Sequence, residues 1–130
     1  MLREPASVRH SARTLATSAC LAFALTGAAF AFGSIAVDDS YADDEDIGYG
    51  YSSGHDIEAA ASAGALEECK SSDNAKCRVV LTYKTCGALA SFNRKFGVGE
   101  GATKQIAEQA ATRACDQSAC KILVSECEGN

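Results

Sequence analysis

The sequence predicts an α+β domain in which two tandem β-β-α-β units form antiparallel sheet, carry two Ala-rich helices and are stapled by disulfides. Three observations predict it. The chain holds seven cysteines in 130 residues, and all but Cys20 lie from Cys69 onward. Four short sequence blocks recur in the same order in the two parts of the chain. Strand-like runs, two of which alternate glycine with a larger residue, bracket two alanine-rich stretches at helical spacing.

From the N-terminus, the first element reads as a leader. Arg3, Arg9 and Arg13 precede the uncharged run TLATSACLAFALTGAAFA, and Ala29-Phe30-Ala31 offers small residues where a signal peptidase reads. This layout predicts a secretory signal over residues 1–31 and one small domain over residues 32–130, with a first unit over about 32–85 and a second over about 86–130. The apolar run is near the lower limit of a membrane span, and TSA before Cys20 is a poor lipoprotein signal.

The repeated blocks give the remaining elements. GSIAVDD (Gly33 to Asp39) matches GALASFN (Gly87 to Asn93), two short apolar runs after a glycine that read as strands. YGYS from Tyr49 matches FGVG from Phe96. On a strand, that alternation gathers the larger side chains on one face and leaves the other bare for a close backbone approach. EAAASAGALEEC ending at Cys69 matches KQIAEQAATRAC ending at Cys115 without a gap. Ile57, Ala60, Ala61, Gly64 and Ala65 in one, and Ile106, Ala107, Ala110, Ala111 and Ala114 in the other, predict small inward helix faces, with Asp56 and Thr103 as N-caps. CRVVLTY from Cys77 matches CKILVSE from Cys120, β-branched runs that read as central buried strands. KTCG between the units is short enough for a hairpin, and the two units can share one sheet with both helices on one face, although the sequence leaves open whether the two sheets merge or pack separately.

An even set of cysteines in an exported chain reads as a disulfide framework. If both units close alike, Cys69 pairs with Cys77 and Cys115 with Cys120, leaving Cys86 to clamp to Cys127. Crossed links between the units satisfy the same symmetry. No spacing is CxxC and His55 is the one histidine beyond the leader, so a zinc site is not expected.

These blocks resemble the domain-of-unknown-function 4189 family of exported bacterial proteins. GSIAVDD, GYGYS, the Ala-rich helix ending in cysteine, CRVVLTYKTCGALA and the second helix with CKILVSEC carry the resemblance, which covers nearly the whole chain beyond the leader. The family pattern places tryptophan before its strand glycines. Ile47 and Phe96 hold those places here, so a surface built on that ring would be altered. The resemblance implies secretion, disulfides and the α/β repeat, and it implies no reaction.

Charge and motif readings bound the function. The formal net charge is −5, and it falls to about −7 without the leader. That balance argues against nucleic acid and against an anionic lipid surface, because both need basic patches. DDSYADDEDIG, Asp38 to Gly48, lacks the register of a calcium loop and reads as a solvated acidic loop. His55 beside Asp56, with Ser52, Ser53 and Ser62 near, has no nucleophile-elbow context. Glu67 with Glu68, and Glu100 with Glu108, invite a paired-carboxylate reading, but the first pair sits more simply on a wet helix face. The glycines of FGVGEG lack a phosphate loop's lysine and hydroxyl in order.

No catalytic constellation, metal site or cofactor is therefore expected. The expected role is a secreted or periplasmic binding module with a protein partner, one of cationic character, and no membrane attachment after signal cleavage. Asp43, Asp44, Glu45, Asp46, Tyr49 and Tyr51 form the candidate partner surface. Tyr83, Phe92 and Phe96 are further aromatics that serve either contact or core. An inhibitor or immunity-type protein against an exported hydrolase is the alternative. A hydrolase with an unrecognised site, which would need His55 in a concave pocket, is the second.

Overall fold

A computed structural model of the chain describes residues 31–129. The leader read over residues 1–31 lies, apart from Ala31, outside the described residues. Six strands and two helices follow in the order β1 (Phe32–Asp38), β2 (Gly48–His55), α1 (Glu58–Ser71), β3 (Arg78–Tyr83), β4 (Cys86–Phe92), β5 (Lys95–Gly101), α2 (Lys104–Cys115) and β6 (Lys121–Cys127). They make two antiparallel three-stranded sheets, ordered β2-β1-β3 and β5-β4-β6. Each β-β-α-β unit is one sheet with its own helix.

The sheets do not merge. Along β1, Ala36 packs with Ala65 and Cys69 of α1, while Ile35 and Val37 turn to the other side. Along β4, Ala88 and Ala90 pack with Ala107 and Ala111 of α2, while Leu89 turns away. Ile35, Val37, Leu89, Tyr83 and Val124 form one core between the sheets. The result is a four-layer stack, helix on sheet on sheet on helix, with the helices on opposite outer faces. The sequence leaves open whether the two sheets merge or pack separately; they pack separately, so no shared sheet carries both helices on one face. Strict alternation in β1 and β4 gives each central strand two buried faces, one of alanine for a helix and one of larger residues for the partner sheet.

The linker is corrected as well. Lys84 and Thr85 carry the chain from one sheet to the other, so β3 and β4 do not form a hairpin; β3 pairs with β1, and β4 with β5 and β6. The β-branched runs expected at the centre are edge strands, and β1 and β4 are central. Both edges carry the same irregularity. Val80 is the extra residue between Leu81 opposite Ile35 and Val79 opposite Ala36. Leu123 is the extra residue between Val124 opposite Leu89 and Ile122 opposite Ala90. A bulge twists an edge and makes it a poor template for further pairing. Its presence at matching positions shows that the duplication extends to backbone detail.

Glycine sets the helix-to-sheet distance. A Cβ on Gly50 would overlap the Cys69 amide nitrogen, and one on Gly97 would overlap that of Cys115. The helices sit so low that only Ala61, Ala65 and Cys69 fit beneath α1, and Ala107, Ala111 and Cys115 beneath α2. The expected inward Ile57 and Ile106 are instead 64% and 49% exposed, because a branched side chain does not fit in that gap. Thr103 caps α2, its Oγ1 accepting from the Ile106 amide at 3.2 Å. Asp56 does not cap α1. The N-cap is Ile57, whose carbonyl accepts from Ala60 and Ala61, which leaves the Asp56 carboxylate one residue too early.

Three disulfides close the structure: Cys69–Cys77, Cys86–Cys127 and Cys115–Cys120. The first and third tie the end of each helix to the following edge strand. The second joins β4 to β6 where their residues lie opposite each other.

Candidate functional site

The duplication creates two seams where the edge of one sheet overlies the other. They differ in what fills them. At the seam between β3 and β5, the Arg78 guanidinium carbon stands 5.5 Å from the centroid of the Phe96 ring. The same guanidinium meets Asp39 Oδ2 at 3.1 Å. A planar cation thus lies over an aromatic face with a carboxylate at its edge, an arrangement suited to arginine.

At the other seam, between β2 and β6, Tyr49 takes the place of Phe96, Lys121 of Arg78, Leu123 of Val80 and Asn93 of Asp39, by the alignment of the repeats. The stacked, carboxylate-paired cation is missing: among the described residues Lys121 makes no ion pair. A cleft of about 500 Å³ opens here. Ile47 and Tyr49 line one side, Lys121 and Leu123 the other, and Ser91, Phe92 and Asn93 the end of β4, with Asp46 and Ala119 also contributing. Phe92 is 41% exposed, unusual for so large an apolar ring. The volume is in the range of small ligand sites.

A length difference shapes the cleft. The second unit joins its first two strands by a tight turn at Asn93 and Arg94, with Asn93 at φ 52°, a left-handed conformation that asparagine tolerates. The first unit uses residues 39–47 for the same connection. Asp38 holds the start of that loop. Its carboxylate accepts from the Ser40 amide at 3.0 Å, from the Ser40 hydroxyl and from the Lys76 amide at 2.9 Å. Burial pushes the Asp38 carboxyl up, but the Ser40 hydroxyl bond, the two amide bonds and the Lys76 charge outweigh it and hold its pKa below the ordinary value. Tyr41 donates to Asn74 Oδ1, and Asn74 Nδ2 donates to the Cys69 carbonyl at 2.8 Å. The loop is therefore pinned at its base, while Asp43, Asp44, Glu45 and Asp46 remain exposed at its tip. Arg94 of the other unit reaches Asp43 at 2.6 Å, leaving the other three acidic side chains to face water.

The remaining sequence candidates fall in different places. Tyr49 and Tyr51 are both half-buried against the inter-sheet core, and Tyr49 also lines the cleft. Tyr83 is 1% exposed, so of the two readings open to it, contact or core, it takes the core one. It faces the second sheet because the glycines Gly33 and Gly87 leave room for its ring. Burial first, then the carboxylates of Glu128 and Glu126 and the Tyr51 hydroxyl, push the Tyr83 phenol up. Phe96 is half-buried beneath Arg78. His55 ends β2 beside Gly64 of α1, outside the cleft, and the Ser52 hydroxyl near it is taken by the Ala61 carbonyl. Glu67 and Glu68 lie on the open face of α1. A depression of about 620 Å³ there is walled by that helix alone, through Ala63, Leu66, Glu67, Lys70 and Ser71, and joins no two elements. Lys121, Leu123 and Asn93 drew no notice in the sequence. Their signal was available in the repeat, as the positions where the second unit departs from Arg78, Val80 and Asp39.

Comparison with known proteins agrees with the fold. The NMR structure of Rv1813c from Mycobacterium tuberculosis is similar, with a TM-score of 0.56 and 21% sequence identity over 97% of this chain and 99% of that one. At that identity the likeness concerns the fold. No curated protein matches. The sequence profile described as "Domain of unknown function (DUF4189)" matches residues 32–127, a stretch that takes in every strand, both helices and all three disulfides. The chain belongs to the DUF4189 family.

Proposed function

We propose that the protein is a binding module of the periplasm or the extracellular space, and that it takes a protein partner at the open seam. The asymmetry between the seams supports this reading most strongly. One of two equivalent places in a duplicated fold is bridged by the chain's own Arg78, which lies over Phe96 and pairs with Asp39 while its side chain stays 56% exposed, and the other is an open cleft with an exposed aromatic ring. Three disulfides and the leader pattern suit an oxidising compartment outside the cytoplasm. The cross-linked scaffold holds the cleft walls in place before binding, which limits the ordering cost of association. The acidic loop and the net charge of −5 favour a cationic partner by steering its approach.

Affinity capture from an extracytoplasmic fraction tests the reading, with the wild-type chain and a Leu123→Asp, Phe92→Ser variant run side by side at low and high salt. One stoichiometric partner retained by the wild type and lost by the variant is the expected result. Equal recovery by both chains, or no partner at all, would remove the cleft from consideration. If the captured partner is a hydrolase whose activity falls on binding, the module acts as an inhibitor.

A further inference from the structure

We infer that the open seam receives an arginine side chain from the partner, stacked against Tyr49 and paired with Asp46, in the manner in which Arg78 fills the matching seam. This deepens the reading of the cleft as a binding site and rests on it. The closed seam is an internal record of what the geometry accepts. Its ingredients are an aromatic ring on the Gly-alternating strand, a bulged aliphatic residue on the facing edge strand, and a carboxylate from the loop after the central strand. These are Phe96, Val80 and Asp39, and the occupant is Arg78, 5.5 Å from the ring and 3.1 Å from the carboxylate.

The open seam keeps the ring as Tyr49 and the aliphatic wall as Leu123, and both line the cleft. It loses the internal carboxylate, since Asn93 stands for Asp39. The longer loop of the first unit returns one from a different position, because Asp46 also lines the cleft. What the chain does not return is the guanidinium. Lys121 occupies the place of Arg78, but its ammonium is a compact, strongly hydrated charge without a planar face to stack. Lys121 is exposed as well as lining the cleft, and its long flexible stem lets the ammonium turn to water when another cation enters. Phe92 and Leu123 offer apolar surface for the methylenes of an incoming arginine. Asp44 and Glu45, also exposed on the adjoining loop, raise the local concentration of cations.

The test follows the backbone amide signals of the full folded chain by NMR during titration with five blocked tripeptides, acetyl-Gly-X-Gly-amide, where X is arginine, lysine, citrulline, phenylalanine or glutamate. The arginine peptide is expected to give saturable shifts centred on Tyr49, Phe92 and Leu123. Lysine should bind at least about 3-fold more weakly, and citrulline, which keeps the shape and loses the charge, at least about 10-fold more weakly. Asp46→Asn should weaken the arginine peptide by about 3- to 10-fold, and Lys121→Gln should tighten it by about 2-fold, with the spectra otherwise unchanged. Equal binding of arginine and citrulline, or shifts spread along residues 43–46 that ignore Tyr49 and Leu123, would overturn the arginine assignment. Cleft shifts with the phenylalanine or glutamate peptide alone would overturn it too, while leaving the binding-module reading in place. Cleft signals that respond to none of the five would count against both.

Discussion

The Tyr83 ring lies against the bare backbone of Gly87, so close that a Cβ on that glycine would overlap the ring carbons. The same ring covers Gly33, its cross-strand neighbour in the first sheet. One side chain thus fills the gap between two sheets at the point where the chain passes from one to the other. Its hydroxyl is buried without a partner among the described residues.

Substitution at this contact separates packing from hydrogen bonding. Gly87→Ala is predicted to destabilise the fold by about 1–3 kcal/mol, because the methyl forces the Tyr83 ring to shift in a filled core. Tyr83→Phe removes a buried hydroxyl that no protein group satisfies, so it is predicted to be neutral or stabilising by up to about 1 kcal/mol. Denaturant unfolding of both variants checks the pair. A loss larger than about 1 kcal/mol in Tyr83→Phe would mean that the hydroxyl has a partner.

Tyr83 also predicts an alkaline limb. Its folded pKa is raised above the unfolded value, so its contribution to stability is complete below an unfolded tyrosine pKa of about 10 and is lost as pH rises beyond it. Tyrosinate absorbance of the folded protein should lack one of the four tyrosines until the chain unfolds. In Tyr83→Phe, the late ionisation step that accompanies unfolding should be gone. If the wild type ionises all four while near-ultraviolet circular dichroism stays native, the buried placement of Tyr83 is wrong.

Asp38 predicts the acid limb, with the opposite sign. Its folded pKa is held below the unfolded value of about 3.9, so its contribution is present above that pH and is lost as pH falls through the folded value. Asp38→Asn should cost about 1–2 kcal/mol near neutral pH and flatten stability below pH ~4 relative to wild type. A parallel offset at all pH values would assign the acid sensitivity to another group.

The disulfides should rank by the chain they close. Cys86–Cys127 closes a separation of 41 residues, against 8 for Cys69–Cys77 and 5 for Cys115–Cys120. Chain entropy predicts losses of about 4, 2.5 and 2 kcal/mol respectively for paired Cys→Ser variants. Thermal unfolding of the three double variants gives the order. Loss of the Cys86–Cys127 link as the mildest change would show that β6 is held on β4 by its ladder and packing rather than by the crosslink.

Much of this fold was legible from the repeat. The Gly50 and Gly97 positions announced a bare strand face, and the alanine stretches announced what would lie on it. The number of sheets was not legible. Ile35 and Ala36 are both apolar, so nothing in the string said that one faces a sheet and the other a helix. Central and edge strands were exchanged for a related reason. RVVLTY reads as doubly buried, yet its bulge and half-exposed residues mark an edge, whereas in GSIAV small and large residues alike lie at 0% exposure from Ser34 to Val37. At the cleft, acidity and aromaticity drew attention to Asp46, Tyr49 and Phe92. Lys121 and Leu123 acquired meaning only when the seams were compared in space.

The difference between the seams is the claim on which both functional readings stand, and proton–proton distance measurement by NMR addresses it directly. Strong cross-relaxation between the Arg78 side chain and the Phe96 ring, with none between the Lys121 side chain and the Tyr49 ring, is the predicted pattern. Equal contacts at the two places would mean that the chain fills both seams itself, and no cleft would remain for a partner.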